Sequence, residues 1–100
     1  MLLLQVLKQF LPSMIEKSNG HLVTVCSASA ILPTRNITLY SSTKHAIHGY
    51  MEALRDELRY HPKKPDIKVT TAYPFYCATE MLENSVPNTR YIFIVFACVR

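Results

Sequence analysis

Three stretches of contrasting period follow one another between residues 21 and 73, and together they leave few folds open. His21 through Ser27 is short, β-branched and apolar, the signature of a buried strand. From about Thr38 to Tyr60, Ile47, Tyr50, Met51, Leu54 and Leu58 recur at helical spacing, with Thr38 a suitable N-cap. Ile67 through Tyr73 repeats the strand pattern, and Pro74 ends it. Strand, long helix and strand with short connections predict a βαβ unit: two neighbouring parallel strands with a right-handed crossover.

Ahead of this unit, residues 2–17 read as a further helix. Leu3, Leu7, Phe10, Leu11 and Met14 supply an apolar side, Gln5, Lys8, Gln9, Glu16 and Lys17 a polar one. Pro12 removes a backbone donor and predicts a kink near Lys8, and Ser18 to Gly20 stops the helix. Residues 28–37, 61–66 and the stretch from Pro74 to about Asn88 read as loops. The expected class is α/β, a partial Rossmann-like, doubly wound parallel sheet. Its expected order is helix, strand, helix, strand, then an irregular tail.

A chain of 100 residues is one domain at most. Eleven Lys and Arg against seven Asp and Glu give a mildly basic balance, interspersed rather than striped, so nucleic acid is not indicated. Cys26, Cys77 and Cys98 are an odd count without CxxC spacing, which argues against a disulfide framework or a zinc site and fits a reducing compartment. No stretch reaches the ~20 apolar residues of a membrane span. The opening Met1 to Leu4 has no preceding positive residues and is soon interrupted by Lys8, unlike a signal peptide.

The chemistry-bearing feature is Tyr40 with Lys44. On a helix these positions share one face, a turn apart. A nearby cation favours phenolate and lowers a phenol pKa from its ordinary ~10, so the phenol can exchange a proton with an alcohol or ketone. The spacing alone is weak: Tyr60 and Lys64 repeat it, but Pro62 and Pro65 argue against a continuous helix there. Position lifts the first pair above the second. In a parallel sheet the chemistry lies beyond the carboxyl ends of the strands. Ser27, Pro74 and Tyr40, the last in the first turns of the crossover helix, all fall on that rim.

Ser29 competes with Ser27 for the role of site hydroxyl. Ser41 and Ser42 read as first-turn helix residues, and no Gly-x-Ser-x-Gly elbow points to a hydrolase. His45 and His48, three positions apart, lack a third ligand at sensible spacing and read as a solvated helix face, so no metal site is expected. Tyr50 and Tyr60 read as packing residues.

The strand closing on Ser27, the Tyr40-x-x-x-Lys44 pair thirteen positions later, and the strand ending in Tyr73 and Pro74 followed by Thr79 resemble the short-chain dehydrogenases/reductases in order and spacing. Leu11, Pro12 and Met14, then Gly20 to Val23, resemble the segment upstream of that family's serine. The resemblance covers roughly residues 1–83, a partial catalytic domain, with residues 84–100 a divergent apolar tail. Thr79 to Met81 and Ile67 to Thr71 resemble the branch acting on retinoids, steroids and related lipid alcohols.

That resemblance implies hydride transfer between NAD or NADP and the hydroxyl or carbonyl of a lipid-like substrate. Tyr40 would be the general acid–base, Lys44 would tune it and bond the nicotinamide ribose, and Ser27 would donate to the substrate oxygen. Tyr40, Lys44, Pro74, Cys77 and Thr79 would line the cofactor. The thirteen-position offset favours Ser27 over Ser29. In the family, the helix before the serine strand and the tyrosine helix commonly pair across a two-fold axis, which implies a homodimer. An intracellular place is expected, in the cytoplasm or at the endoplasmic reticulum or lipid-droplet surface. Membrane association of a full-length parent stays open.

The chain also departs from the family. Dinucleotides bind on a glycine-rich turn after a strand, and here the two glycines are Gly20 and Gly49, neither in such a turn. The family's asparagine on the helix before the serine strand falls at or before Met1. The usual Pro-Gly after the second strand is Pro74-Phe75, and phenylalanine does not share glycine's freedom. Two expectations follow. The first is a partial oxidoreductase catalytic domain that is inactive alone. The second is a non-catalytic module that pairs through its two helices with a full-length relative.

Overall fold

The computed structural model describes residues 2–33 and 35–75, and the backbone of 95–99. Its elements are α1 (Leu2–Lys17), β1 (Gly20–Val25), a 3-10 turn (Ala28–Ala30), α2 (Thr38–Arg59), β2 (Ile67–Pro74) and β3 (Val95–Val99). β1 and β2 run parallel, with Gly20 opposite Ile67 and Val25 opposite Ala72. β3 pairs antiparallel with the other edge of β2, Thr70 facing Val99 and Pro74 facing Val95.

The α/β class and the parallel pair are as expected. The tail is not irregular throughout, because Val95–Val99 is a strand. The physical reason lies in both partners: the run is β-branched and aromatic, and β2 presents an edge of backbone donors and acceptors that a strand can complete.

α1 ends where its sequence says it should. Ser18 takes a left-handed φ of 49°. The Asn19 N–H bonds the Met14 carbonyl and the Ser18 N–H the Ile15 carbonyl, each at 3.2 Å. That pair of bonds is a Schellman cap, which satisfies carbonyls the helix leaves open. The Asp66 N–H then donates to Ser18 Oγ at 3.1 Å, joining this turn to the one before β2. Pro12 lies inside α1, which runs through it.

Both helices pack on one face of the strand pair. Leu7 of α1, Leu22 of β1, Met51, Leu54 and Leu58 of α2, and Val69 of β2 form the buried core. The predicted stripe on α2 is that core. On α1 the prediction holds for Leu3, Leu7, Leu11 and Met14, but Phe10 is exposed. Tyr60 is exposed too, at the end of α2 rather than in the packing. Met14 lies across the start of β1, where Gly20 leaves room for it. The opposite face of the sheet is open, with Val23 and Val25 62 % and 66 % exposed.

Candidate active site

β1 ends at Val25, and the next residues turn the chain onto the rim. The Cys26 N–H still bonds the Ala72 carbonyl, at 2.8 Å, so the strand pairing carries to the residue before Ser27. Ser27 has extended backbone (φ −163°, ψ 152°) and caps the 3-10 turn. Its Oγ accepts from the Ser29 N–H at 3.3 Å and from the Ser29 hydroxyl at 2.9 Å. Ser29 is buried and Ser27 is half-buried. Of the two serines, Ser27 is therefore the more accessible.

Tyr40 is the third residue of α2 and 46 % exposed. Thr38 is not the N-cap: the helix starts with it, and Ile37 occupies the capping position without a side-chain bond. The first turn instead uses hydroxyls on its own carbonyls, with Ser42 Oγ donating to Thr38 at 2.9 Å and Thr43 Oγ1 to Tyr40 at 2.7 Å. Lys44 stands one turn on, its Nζ over the Tyr40 ring at 5.5 Å from the centroid. That is within cation–π range. Tyr60 and Lys64 share no such face: α2 stops at Arg59, and Lys64 lies in a loop with φ 41°.

Two side-chain bonds hold this end of α2 to the strand ends. The Cys26 thiol donates to the Lys44 carbonyl at 3.4 Å. His48, one turn further, meets the Tyr73 hydroxyl at 2.7 Å. Cys26 directly precedes Ser27, and Tyr73 directly precedes Pro74, the last residue of β2. The structure thus gathers Ser27, Tyr40, Lys44 and Pro74 on one rim. Cys77 and Thr79 lie outside the described residues.

His48 corrects the sequence reading. It is half-buried and bonded, not on a solvated face, whereas His45 is exposed and bonds the Ser41 carbonyl at 2.9 Å. Its place three positions before buried Met51, on the same helix face, was the available signal. Among the described residues no group of three His, Cys, Asp or Glu could hold a metal ion. No helix among them is long and apolar enough to cross a membrane.

The glycines decide how much of a dinucleotide these residues fit. Gly20 opens β1 beneath Met14, and Gly49 lies in the middle of α2. Neither sits in a strand-to-helix turn, so neither glycine supplies a cradle for a pyrophosphate.

Comparison with known proteins agrees with the α/β fold. The family described as short chain dehydrogenase matches residues 3–90. An uncharacterized oxidoreductase of Staphylococcus aureus strain MRSA252 is 36% identical over 83 residues, which are 83% of this chain and 34% of that protein. Another, from strain USA300, is 41% identical over 80 residues, 80% of this chain and 33% of its own length. The 11-beta-hydroxysteroid dehydrogenase-like 2 protein of Arabidopsis thaliana is 39% identical over 67 residues, 67% of this chain and 20% of that one. The chain spans about a third of the length of the bacterial relatives. No solved structure matches it.

Proposed function

The chain belongs to the short-chain dehydrogenase/reductase family, and on that premise we propose that it carries the proton-handling part of an NAD(P)-dependent oxidoreductase. Tyr40 gives a proton to, or takes it from, the oxygen of an alcohol or carbonyl. Ser27 donates a hydrogen bond to the same oxygen and opposes the charge that develops there. Lys44 supplies positive charge beside Tyr40 and reaches the ribose of the dinucleotide. Pro74, Cys77 and Thr79 line the nicotinamide end. When bound, the dinucleotide supplies or accepts the hydride.

One observation carries this most: the Cys26–Lys44 bond at 3.4 Å, which ties the helix of Tyr40 and Lys44 to the residue next to Ser27. A lipid-like substrate, a retinoid, steroid or fatty alcohol, is the class we favour. The likeness to a protein named as hydroxysteroid dehydrogenase-like supports it.

The isolated 100 residues do not turn substrate over, because the only glycines are placed away from any phosphate-binding turn. Calorimetry of the purified chain with NADH and NADPH should show no saturable binding. Saturable binding with turnover would overturn the inactivity of the chain. The chemistry is tested in a chimera that joins the remainder of the Staphylococcus aureus relative to this chain. There Tyr40→Phe should abolish oxidation of a lipid alcohol, and undiminished turnover would remove Tyr40 from the role.

A second reading is a non-catalytic module that pairs with a full-length relative or with itself. Leu2, Val6 and Phe10 of α1 recur every four residues and are 76 %, 46 % and 57 % exposed, a stripe turned away from the core. Sedimentation of a mixture with the Staphylococcus aureus relative discriminates the two readings. Association without dinucleotide affinity favours the module.

A further inference from the structure

We propose that Ser29 is a positioning residue, occupying the acceptor side of the Ser27 hydroxyl so that the Ser27 proton points outward to the substrate oxygen. This role rests on the reading of Ser27 as the substrate-facing hydroxyl. A serine hydroxyl has one proton to donate and two lone pairs to accept with. Ser27 Oγ receives the Ser29 N–H at 3.3 Å and the Ser29 O–H at 2.9 Å. Both lone pairs are then engaged from one side, and what remains is the proton.

The fold keeps the arrangement in place. Ser29 is 8 % exposed and flanked by Ala28 and Ala30 at 4 % and 1 %, so its hydroxyl has little access to water. The 3-10 turn is closed by the Ala30 N–H on the Ser27 carbonyl at 3.0 Å, which sets the two serines at a fixed separation. An O–H that accepts hydrogen bonds is polarised into a better donor. Alanine at position 29 would keep the N–H and lose the hydroxyl, leaving Ser27 free to turn its proton inward.

The test needs no dinucleotide. Ser27→Cys places a thiol where the two donors converge, and donors that favour a thiolate lower its pKa below the free value of about 8.5. Iodoacetamide rates against pH, read site by site by mass spectrometry, give that value. Adding Ser29→Ala should raise it by about one unit, and Ser29→Thr, which keeps the hydroxyl, should leave it low. Buried Cys26 is the internal control, because its slow alkylation reports that the turn is still packed. An unchanged curve in Ser29→Ala, a failure of Ser29→Thr to hold the value, or Cys26 becoming reactive alongside would each overturn the positioning role. Inactivity of the chimera that retains Tyr40, or undiminished turnover in its Tyr40→Phe variant, would sink the dehydrogenase reading and leave the thiol result standing, so the two failures are distinguishable.

Discussion

The Tyr73 hydroxyl and the His48 imidazole meet at 2.7 Å, their rings edge to face with centroids 5.6 Å apart. The contact joins α2, one turn past Lys44, to the residue before Pro74. It packs beside Cys26 and Ala30 in a small second cluster under the rim, where Tyr73 is 4 % exposed. Removing the hydroxyl by Tyr73→Phe keeps the ring packing and leaves His48 half-buried without its partner. The expected loss is about 1 kcal/mol, rising toward ~3 if the imidazole finds no water. Urea unfolding measures it, and an unchanged midpoint would mean that the bond contributes nothing to stability.

The same tyrosine gives the chain a signature at high pH. Burial pushes the Tyr73 phenol above its ordinary value of 10.0, and the Glu52 carboxylate and Cys26 push the same way. Below the unfolded value both states hold the proton and the contribution is complete. Above it the unfolded chain ionises first, so stability falls as pH climbs through the raised folded value. Between pH 8 and 11 the urea midpoint should therefore drop further in the wild-type chain than in Tyr73→Phe. Parallel curves for the two would show that Tyr73 ionises alike in both states.

Much of this was legible in the sequence, for a physical reason. The α2 stripe and the two β-branched runs each bury one side, so their periods report the fold directly, and the rim positions of Ser27, Tyr40 and Pro74 follow from parallel topology alone. Features that depend on side chains meeting across elements were not legible. His48 reads as solvated because its partner is 25 positions away. Phe10 fits the helical period of α1 yet faces out, because the period fixes a stripe's spacing and not its width. The strand at Val95–Val99 escaped because an apolar run is defined as a strand by the edge it meets.

Gly20 faces a side chain rather than open space. A Cβ built there would lie 2.9 Å from Met14 Sδ and 3.2 Å from Met14 Cβ. The thioether end can swing, but its Cβ moves only with α1. Gly20→Ala should therefore destabilise by about 1–3 kcal/mol. Combining it with Met14→Ala should give back part of that loss, so the double mutant costs less than the sum of the singles. Strict additivity in thermal or urea unfolding would place the cost in the strand itself rather than against Met14.

The two faces of β1 make opposite predictions one residue apart. Leu22 is 8 % exposed and in the core, whereas Val23 and Val25 look outward from the open face of the sheet. On that face the exposed His21–Thr70 bond, 2.8 Å long, links a β1 side chain to a β2 side chain. Leu22→Ala removes core volume and should cost about 2–5 kcal/mol. Val23→Thr with Val25→Lys exchanges exposed apolar surface for polar groups and should stay within about 0.5 kcal/mol per site. That pair should also weaken self-association, since an uncovered β face is where copies of a chain adhere. Sedimentation velocity over a concentration series reads this: the weight-average coefficient should rise with concentration in the wild-type chain and stay flatter in the double variant. If both rise alike, association runs through another surface, and the exposed stripe of Leu2, Val6 and Phe10 on α1 is the next to substitute.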